Sequence, residues 1–148
     1  MLRDVLIIIK SHQSYGEDSD SIELTTNGKF GTVNGEYLIS YADVDDKGKE
    51  TTKTSLHVKK DGSVVLNRTG EIESKFIIKT NERVSTTYIT PQGTMLMGIF
   101  GEAIKIDLNE NGGKVKVVYN IDSNLQLLSK NTVEIIVKEV NKNVSTSL

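Results

Sequence analysis

The stretch from residue 88 to residue 122 constrains the fold most, because it contains two strand patterns on either side of a turn. The turn runs from Asn109 to Gly113, and asparagine and glycine favour the backbone conformations of tight hairpin turns. After the turn, Val115, Val117 and Tyr119 occupy every second position. A period of two is typical of a half-buried strand. The stretch therefore predicts an antiparallel β-hairpin.

The same pattern of strands separated by turns recurs along the rest of the chain. Threonine, valine, isoleucine and serine dominate, these residues favour pleated surfaces, and no long segment has a helical period. The predicted strands are residues 3–11, 21–33, 36–44, 51–60, 63–69, 71–79, 83–90, 94–108, 114–122 and 126–140. The acidic segment at 15–21 is interpreted as a loop, and Asn27-Gly28 as a bulge.

About eight to ten antiparallel strands without helical crossovers predict an all-β barrel or sandwich. Gly98 and Gly101 lie within the long eighth strand and favour a barrel, because barrel corners use such bends. We therefore predict a single closed or nearly closed antiparallel β-barrel. Its domain is expected at residues 1–141, followed by a polar tail at 142–148.

The amino-acid composition excludes some classes of function and argues against others. The 148 residues suit one domain, and the absence of cysteine excludes disulfides, thiol catalysis and cysteine-ligated metals. It also fits a reducing compartment, so we expect a cytoplasmic protein. The 18 basic and 20 acidic residues are interspersed, whereas nucleic-acid binding uses a basic face. The apolar run at 5–9 is too short for a signal peptide or a membrane span. We expect neither nucleic acid nor membrane as a partner.

The sequence contains no complete motif for catalysis or metal binding. His12 and His57 lie in unrelated predicted strands, and no nucleophile elbow, phosphate loop or dinucleotide fingerprint occurs. Residues 107–112 match the opening of a calcium loop, but Val118 stands where the bidentate carboxylate belongs. A similar pattern at 43–48 fails at Lys47, so both segments are predicted to be turns. We predict no catalytic residue, metal or cofactor, and an enzyme ranks last among the hypotheses.

Arg68 is the most informative single residue. Alternation places it on the same face as Val64 and Leu66, which predicts that it points into the barrel. A buried guanidinium requires carboxylates, carbonyl groups or an anionic ligand. One interpretation pairs it with Glu71 or Glu73, or with loop carbonyl groups, at the barrel mouth. The other makes it the anion-recognising group of a ligand cavity.

Four tyrosines form a second group of candidates. Tyr37 and Tyr41 share one face of the third predicted strand, while Tyr88 and Tyr119 lie near the ends of their strands. Ordinary packing with hydroxyl groups reaching solvent explains such residues, and so does a polar-tipped lining around a small ligand. The candidate ligand-binding residues are Arg68, Tyr41, Tyr88 and Tyr119.

Four blocks of sequence, in order, resemble a known family. They lie at residues 34–41, 68–70, 88–93 and 111–121, within a resemblance that covers residues 6–140. The chain is similar to the YwiB-like family of small bacterial proteins. That resemblance implies a calycin-like β-barrel, the architecture of lipocalins and fatty-acid-binding proteins. It implies no activity, because the family is a domain of unknown function.

Two functional hypotheses follow ahead of an enzyme. In the first, a non-enzymatic barrel binds a small anionic or amphipathic molecule in or at its mouth, using Arg68 and tyrosines. In the second, a solid barrel is a protein-interaction module that acts through a surface patch or a homodimer interface. A filled interior with Arg68 outside would contradict the first hypothesis. A uniformly polar surface would weigh against the second.

Overall fold

The computed structural model describes residues 2–140, which form ten β-strands. They are β1 (Leu2–Tyr15), β2 (Asp18–Val33), β3 (Glu36–Val44), β4 (Glu50–Val58), β5 (Val64–Gly70), β6 (Glu73–Ile78), β7 (Arg83–Thr90), β8 (Gly93–Asn109), β9 (Gly112–Ser123) and β10 (Gln126–Glu139). Each strand pairs antiparallel with the next, and β1 also pairs with β10, so the sheet closes. The predicted antiparallel barrel is confirmed. The tail predicted at 142–148 lies outside the described residues.

Within residues 2–140, no helix is long and apolar enough to cross a membrane. The strand bounds agree with the sequence predictions to within a few residues, except at the first hairpin. There the predicted loop at 15–21 shrinks to a turn at Gly16 and Glu17. The difference arises because residues 18–21 are polar and exposed, so no hydrophobic alternation marks the start of β2.

Gly28 marks a close approach of three strands rather than a bulge. The register between β1 and β2 continues through it without a shift, so the predicted bulge is wrong. A Cβ atom at this position would lie 2.3 Å from Cδ1 of Ile7 and 2.4 Å from the carbonyl oxygen of Ser40. Only glycine allows β1, β2 and β3 to meet so closely.

The barrel interior is solid at the end where the β2–β3, β4–β5, β6–β7 and β8–β9 turns lie. We call this the closed end, and the end with the β1–β2, β3–β4, β5–β6, β7–β8 and β9–β10 turns the open end. At the closed end Phe30 stacks on Tyr37 with ring centroids 5.8 Å apart. Further in, a space of about 10 Å³ among Leu56, Val115 and Ile135 is large enough for one water molecule at most.

The seam between β6 and β7 is the shortest pairing in the barrel wall. Its register consists of Glu73 opposite Ile89 and Ser74 opposite Tyr88, with an isolated bridge between Lys79 and Glu82 beyond them. Between these points the Thr86 hydroxyl donates to the carbonyl oxygen of Lys75 at 2.6 Å. A side chain therefore replaces part of the backbone ladder here.

A bidentate ion pair between Arg83 and Asp122 joins β7 to β9 across β8. Arg83 Nε donates to Oδ2 at 2.9 Å and Nη2 to Oδ1 at 2.7 Å. Gly98 lies between them, and a Cβ atom there would come within 2.2 Å of Nε. Asp122 Oδ1 also accepts the backbone N–H of Leu125 at 3.1 Å, which fixes the β9–β10 turn. Of the two glycines at which a bend or bulge was expected in β8, Gly101 lies at a register shift, between Gly101 and Ala103.

Truncating a core side chain tests the inward face. Ile135 is 1% exposed, so Ile135→Ala should lower the free energy of unfolding by about 2–5 kcal/mol through lost packing and a residual cavity. Urea denaturation measures it. The matched control is Ile22→Ala, because Ile22 is 66% exposed and should change stability by no more than about 0.5 kcal/mol. Equal effects of the two substitutions would contradict the assignment of the core.

The Arg83–Asp122 pair predicts a pH-dependent stability. The bonds from Arg83 lower the pKa of Asp122 below its ordinary value, so the ionised carboxylate stabilises the fold at pH above about 4. That contribution is lost as the pH falls through the lowered pKa. We expect the stability difference between the wild type and Asp122→Asn to be largest near neutrality and to shrink in acid. Urea denaturation across this range measures it, and a pH-independent difference would contradict the assignment.

Candidate functional site

A cavity of about 510 Å³ occupies the open end of the barrel, a volume within the range of small-molecule sites. Seven strands, β1 and β5 to β10, contribute side chains to its wall. The lining residues are Ser11, Gln13, Tyr15, Arg68, Phe76, Tyr88, Met97, Tyr119, Ile121, Leu128, Ser129, Asn131 and Val133. The barrel is thus hollow at one end and filled at the other.

A row of polar side chains crosses five neighbouring strands and reaches the cavity at Arg68 and Tyr88. Strand register places in line Tyr41 of β3, Thr54 of β4, Arg68 of β5, Ser74 of β6 and Tyr88 of β7. Because side chains alternate between the two faces of a strand, these five share the inner face. We call them the polar row.

An apolar row lies directly beneath the polar row, toward the closed end. It consists of Ile39, Leu56, Leu66 and Phe76, which are also in register and are all buried. The step from one row to the next separates a hydrogen-bonding layer from a hydrocarbon layer. On this side of the barrel the floor of the cavity is formed where the two rows meet, by Arg68 and Tyr88 of the polar row and Phe76 of the apolar row.

The opposite wall carries a second set of aligned polar groups. Tyr119 of β9, Asn131 of β10 and Gln13 of β1 are in register. The Asn131 amide donates to the hydroxyl of Ser129 at 3.0 Å, and both residues are buried. Sequence reasoning did not single out Asn131, Ser129 or Gln13. The signal was available, because Asn131 and Ser129 continue the inward alternation of Ile135 and Val133.

Arg68 points inward, as its alternation with Val64 and Leu66 predicts. It forms no ion pair within residues 2–140, and Glu71 and Glu73 are exposed, so the expected pairing with these carboxylates is absent. Its Nε atom is buried and has no hydrogen-bond partner in this part of the chain. Leaving a buried donor unpaired costs about 1–3 kcal/mol. Arg68 therefore lines the cavity with part of its hydrogen-bonding capacity unused.

Aromatic rings surround the guanidinium side of the cavity. The ring of Phe76 lies 6.2 Å from the ring of Tyr88 and 6.2 Å from that of Tyr119, centroid to centroid. Tyr88 and Tyr119 line the cavity, whereas Tyr41 is buried two strands along the polar row and outside the lining. Of the four candidate residues, three meet at the cavity.

Burial raises the pKa of both Tyr41 and Tyr119, and the positive charge of Arg68 opposes the rise. Tyr119 is the more enclosed of the two, at 5% exposed. Both phenols consequently carry their protons at neutral pH. Each can donate one hydrogen bond, and Tyr119 can donate it toward the cavity.

The two segments that resemble calcium loops are hairpin turns. Asp45 Oδ1 accepts the backbone N–H groups of Lys47 and Lys49 at 2.9 and 3.0 Å. In the other turn, Asn109 Oδ1 accepts the N–H of Asn111 at 2.8 Å. The side-chain oxygens serve the turns themselves. In the part of the chain that the structure describes, no three His, Asp or Glu side chains are grouped to hold a metal ion.

Comparisons with known proteins identify the fold and leave the site without a precedent. The family model described as "Domain of unknown function (DUF1934)" matches residues 7–135. The crystal structure of the YwiB protein from Bacillus subtilis is similar, with a TM-score of 0.82 and 20% identity over 95% of this chain and 94% of that chain. At that identity the likeness concerns the fold. No curated protein matches the chain.

Replacing Arg68 separates a structural role from a binding role. Arg68→Met removes a guanidinium with an unpaired buried Nε atom and extends the apolar surface, so we expect the free energy of unfolding to stay unchanged or to rise by about 1 kcal/mol. Urea denaturation of the ligand-free protein measures it. Arg83→Met is the matched control and should destabilise, because it leaves the buried carboxylate of Asp122 without its partner. A clear loss of stability in Arg68→Met would indicate a structural arginine.

Proposed function

The chain belongs to the DUF1934 family, a domain of unknown function, and we propose that this barrel binds a small anionic or amphipathic ligand at its open end without transforming it. One observation carries the proposal: the inward Arg68, with its unpartnered Nε atom, lines a cavity large enough for a ligand. Proteins rarely keep a buried guanidinium unpaired, because its desolvation is costly. An anion in the cavity accounts for the arginine.

The cavity has the polarity of an amphipathic molecule. Its floor offers a guanidinium and phenol hydroxyls, while Met97, Ile121 and Leu128 supply hydrocarbon walls. Small-molecule sites typically combine apolar walls with a few placed polar groups. This combination supports binding of a molecule with one charged and one apolar part.

Binding without catalysis agrees with the placement of the reactive groups. The one close pairing of a histidine with a hydroxyl within residues 2–140 joins His12 to Ser21 at 2.7 Å. Both side chains are exposed on the first hairpin, outside the cavity, and no carboxylate hydrogen-bonds the ring there. The absence of cysteine supports action in the cytoplasm, and the mixed surface charge supports a role apart from nucleic acids and membranes.

A second candidate function is a protein-interaction module, and exposed leucines favour it. Leu96, Leu125 and Leu127 are 70%, 78% and 57% exposed. They lie on two neighbouring hairpins at the open end, because β8 pairs with β9. Contiguous exposed apolar surface is typical of contact sites.

If these leucines form a homodimer interface, Leu125→Glu should convert the dimer to a monomer, because it places a charge in the interface. Sedimentation velocity measures the change. A wild-type protein that is monomeric at about 100 µM would exclude this homodimer.

Native mass spectrometry tests the binding function directly. Protein purified from its own host should carry a small extra mass that the denatured protein lacks. Arg68→Met should lose that mass, because the ligand loses its counter-charge. Lys75→Met is the control, since Lys75 is exposed on the outer face next to Ser74, and it should retain the mass.

Two results would contradict the binding proposal. One is an extra mass that Arg68→Met retains in full, which would remove Arg68 from the site. The other is an unaltered wild-type mass both directly from the host and after incubation with a small-molecule extract of that host.

A further inference from the structure

We infer that the occupant of the cavity is an aryl monocarboxylate, bound with its carboxylate inward at Arg68 and its ring among Phe76, Tyr88 and Tyr119. The inference rests on the proposed binding function and narrows it to one chemical class. Three features of the cavity carry it: the order of polar and apolar layers, the single positive charge, and the ring cluster at the floor.

The order of the polar and apolar layers determines how the ligand is oriented in the cavity. Arg68 lies where the polar row borders the apolar row, so the charged group of a ligand meets the guanidinium in the inner part of the cavity. Nearer the open end the lining includes Leu128, and the exposed Leu125 and Leu127 lie beside it in the chain. The reverse orientation would leave Arg68 without a counter-charge and put hydrocarbon against it.

The charge balance indicates a single negative charge. Arg68 is the only cationic residue in the cavity lining. The turns of the open end carry four acidic residues, Glu17, Asp45, Asp46 and Glu71, and two lysines, Lys47 and Lys49. A dianion such as a phosphate monoester would keep one uncompensated charge inside a poorly solvated cavity, near these acids.

The geometry of the guanidinium favours a carboxylate among singly charged groups. The guanidinium presents its N–H donors as a planar fork, and a pair of them matches the two oxygens of a carboxylate. Each carboxylate oxygen retains a lone pair for a further donor. The hydroxyls of Tyr119 on β9 and Tyr88 on β7 line the cavity and are available as such donors.

The ring cluster indicates an aromatic body next to the carboxylate. Phe76 is adjacent to Arg68 on the inner face, one row deeper and one strand over, and it contacts both tyrosine rings. Aromatic pairs gain about 0.5–1.5 kcal/mol beyond their buried area. Met97 also lines the cavity, and thioether–aromatic contacts are favourable. A flexible alkyl chain gains neither contribution.

Isothermal titration calorimetry with four probes tests the class. The probes are 2-naphthoate, 2-naphthalenemethanol as its neutral analogue, 2-naphthyl phosphate as a dianion and decanoate as an alkyl carboxylate. We expect 2-naphthoate to bind the wild type at least tenfold more tightly than each of the others. Arg68→Met should weaken 2-naphthoate at least tenfold and leave the neutral analogue unchanged, while Lys75→Met should bind like the wild type.

The orientation of the bound ligand is measured separately, by crystallography with a brominated probe. In crystals with 6-bromo-2-naphthoate, the anomalous signal of bromine should lie on the Leu128 side of the ring, away from Arg68. Bromine beside Arg68 would overturn the inward placement of the carboxylate.

The remaining outcomes separate this inference from the proposed function. Tighter binding of the alcohol, the phosphate or decanoate than of 2-naphthoate would overturn the aryl monocarboxylate and leave a binding barrel. Failure of all four probes to bind, together with an Arg68-dependent extra mass in the host protein, would overturn the inference alone. Failure of all four probes and no host-derived mass would overturn both.

Discussion

Closure of the sheet by β1 is the constraint on which the rest of the structure depends. Ile9 lies opposite Leu24 of β2 on one side and opposite Ile135 of β10 on the other, so a single strand completes the ladder in both directions. Closure removes the exposed edges of a sheet and fixes the register of every strand between β2 and β10. A slip of one residue would turn each inward side chain outward. The inward position of Arg68 on β5 is therefore a consequence of pairing at the opposite side of the barrel.

A closed barrel of this width is stable without being filled along its whole length. Phe30 and Ile39 fill the closed end, and a space beneath the cavity is about the size of one water molecule. From Phe76 toward the open end, the inward side chains leave a cavity. The packed end stabilises the fold, and the open end accommodates a guanidinium that no core could hold alone. Stability and binding are thus separated along the barrel axis.

Sequence alternation predicted most of the fold because inward apolar side chains alternate with outward polar ones along most of the strands. It located ten strands and the inward faces of Val117, Ile135 and Arg68, and the structure confirms each of them. It could not locate the end of the first hairpin, where both faces are solvated and no period exists. Alternation also gives no information about which residues far apart in the sequence contact each other.

The Arg83–Asp122 pair illustrates what alternation leaves out. Its members are 39 residues apart in sequence, and they meet only because of the registers of two successive strand pairs and the missing side chain at Gly98. The candidate site was predictable in part for the same reason. Its arginine and two of its tyrosines follow from alternation. The cavity they share depends on the volume that other side chains leave empty.

The short seam between β6 and β7 has a consequence for motion. Backbone amides open to solvent most readily where the ladder is shortest and a side-chain bond replaces backbone bonds. Phe76 and Tyr88 stand on opposite sides of this seam, so its fluctuation changes the width of the cavity while the packed end stays intact. Amide hydrogen exchange should therefore be fastest, among the ladders of the wall, in β6 and β7. A molecule held between these rings would close the seam and slow that exchange without altering the exchange of β1 and β10.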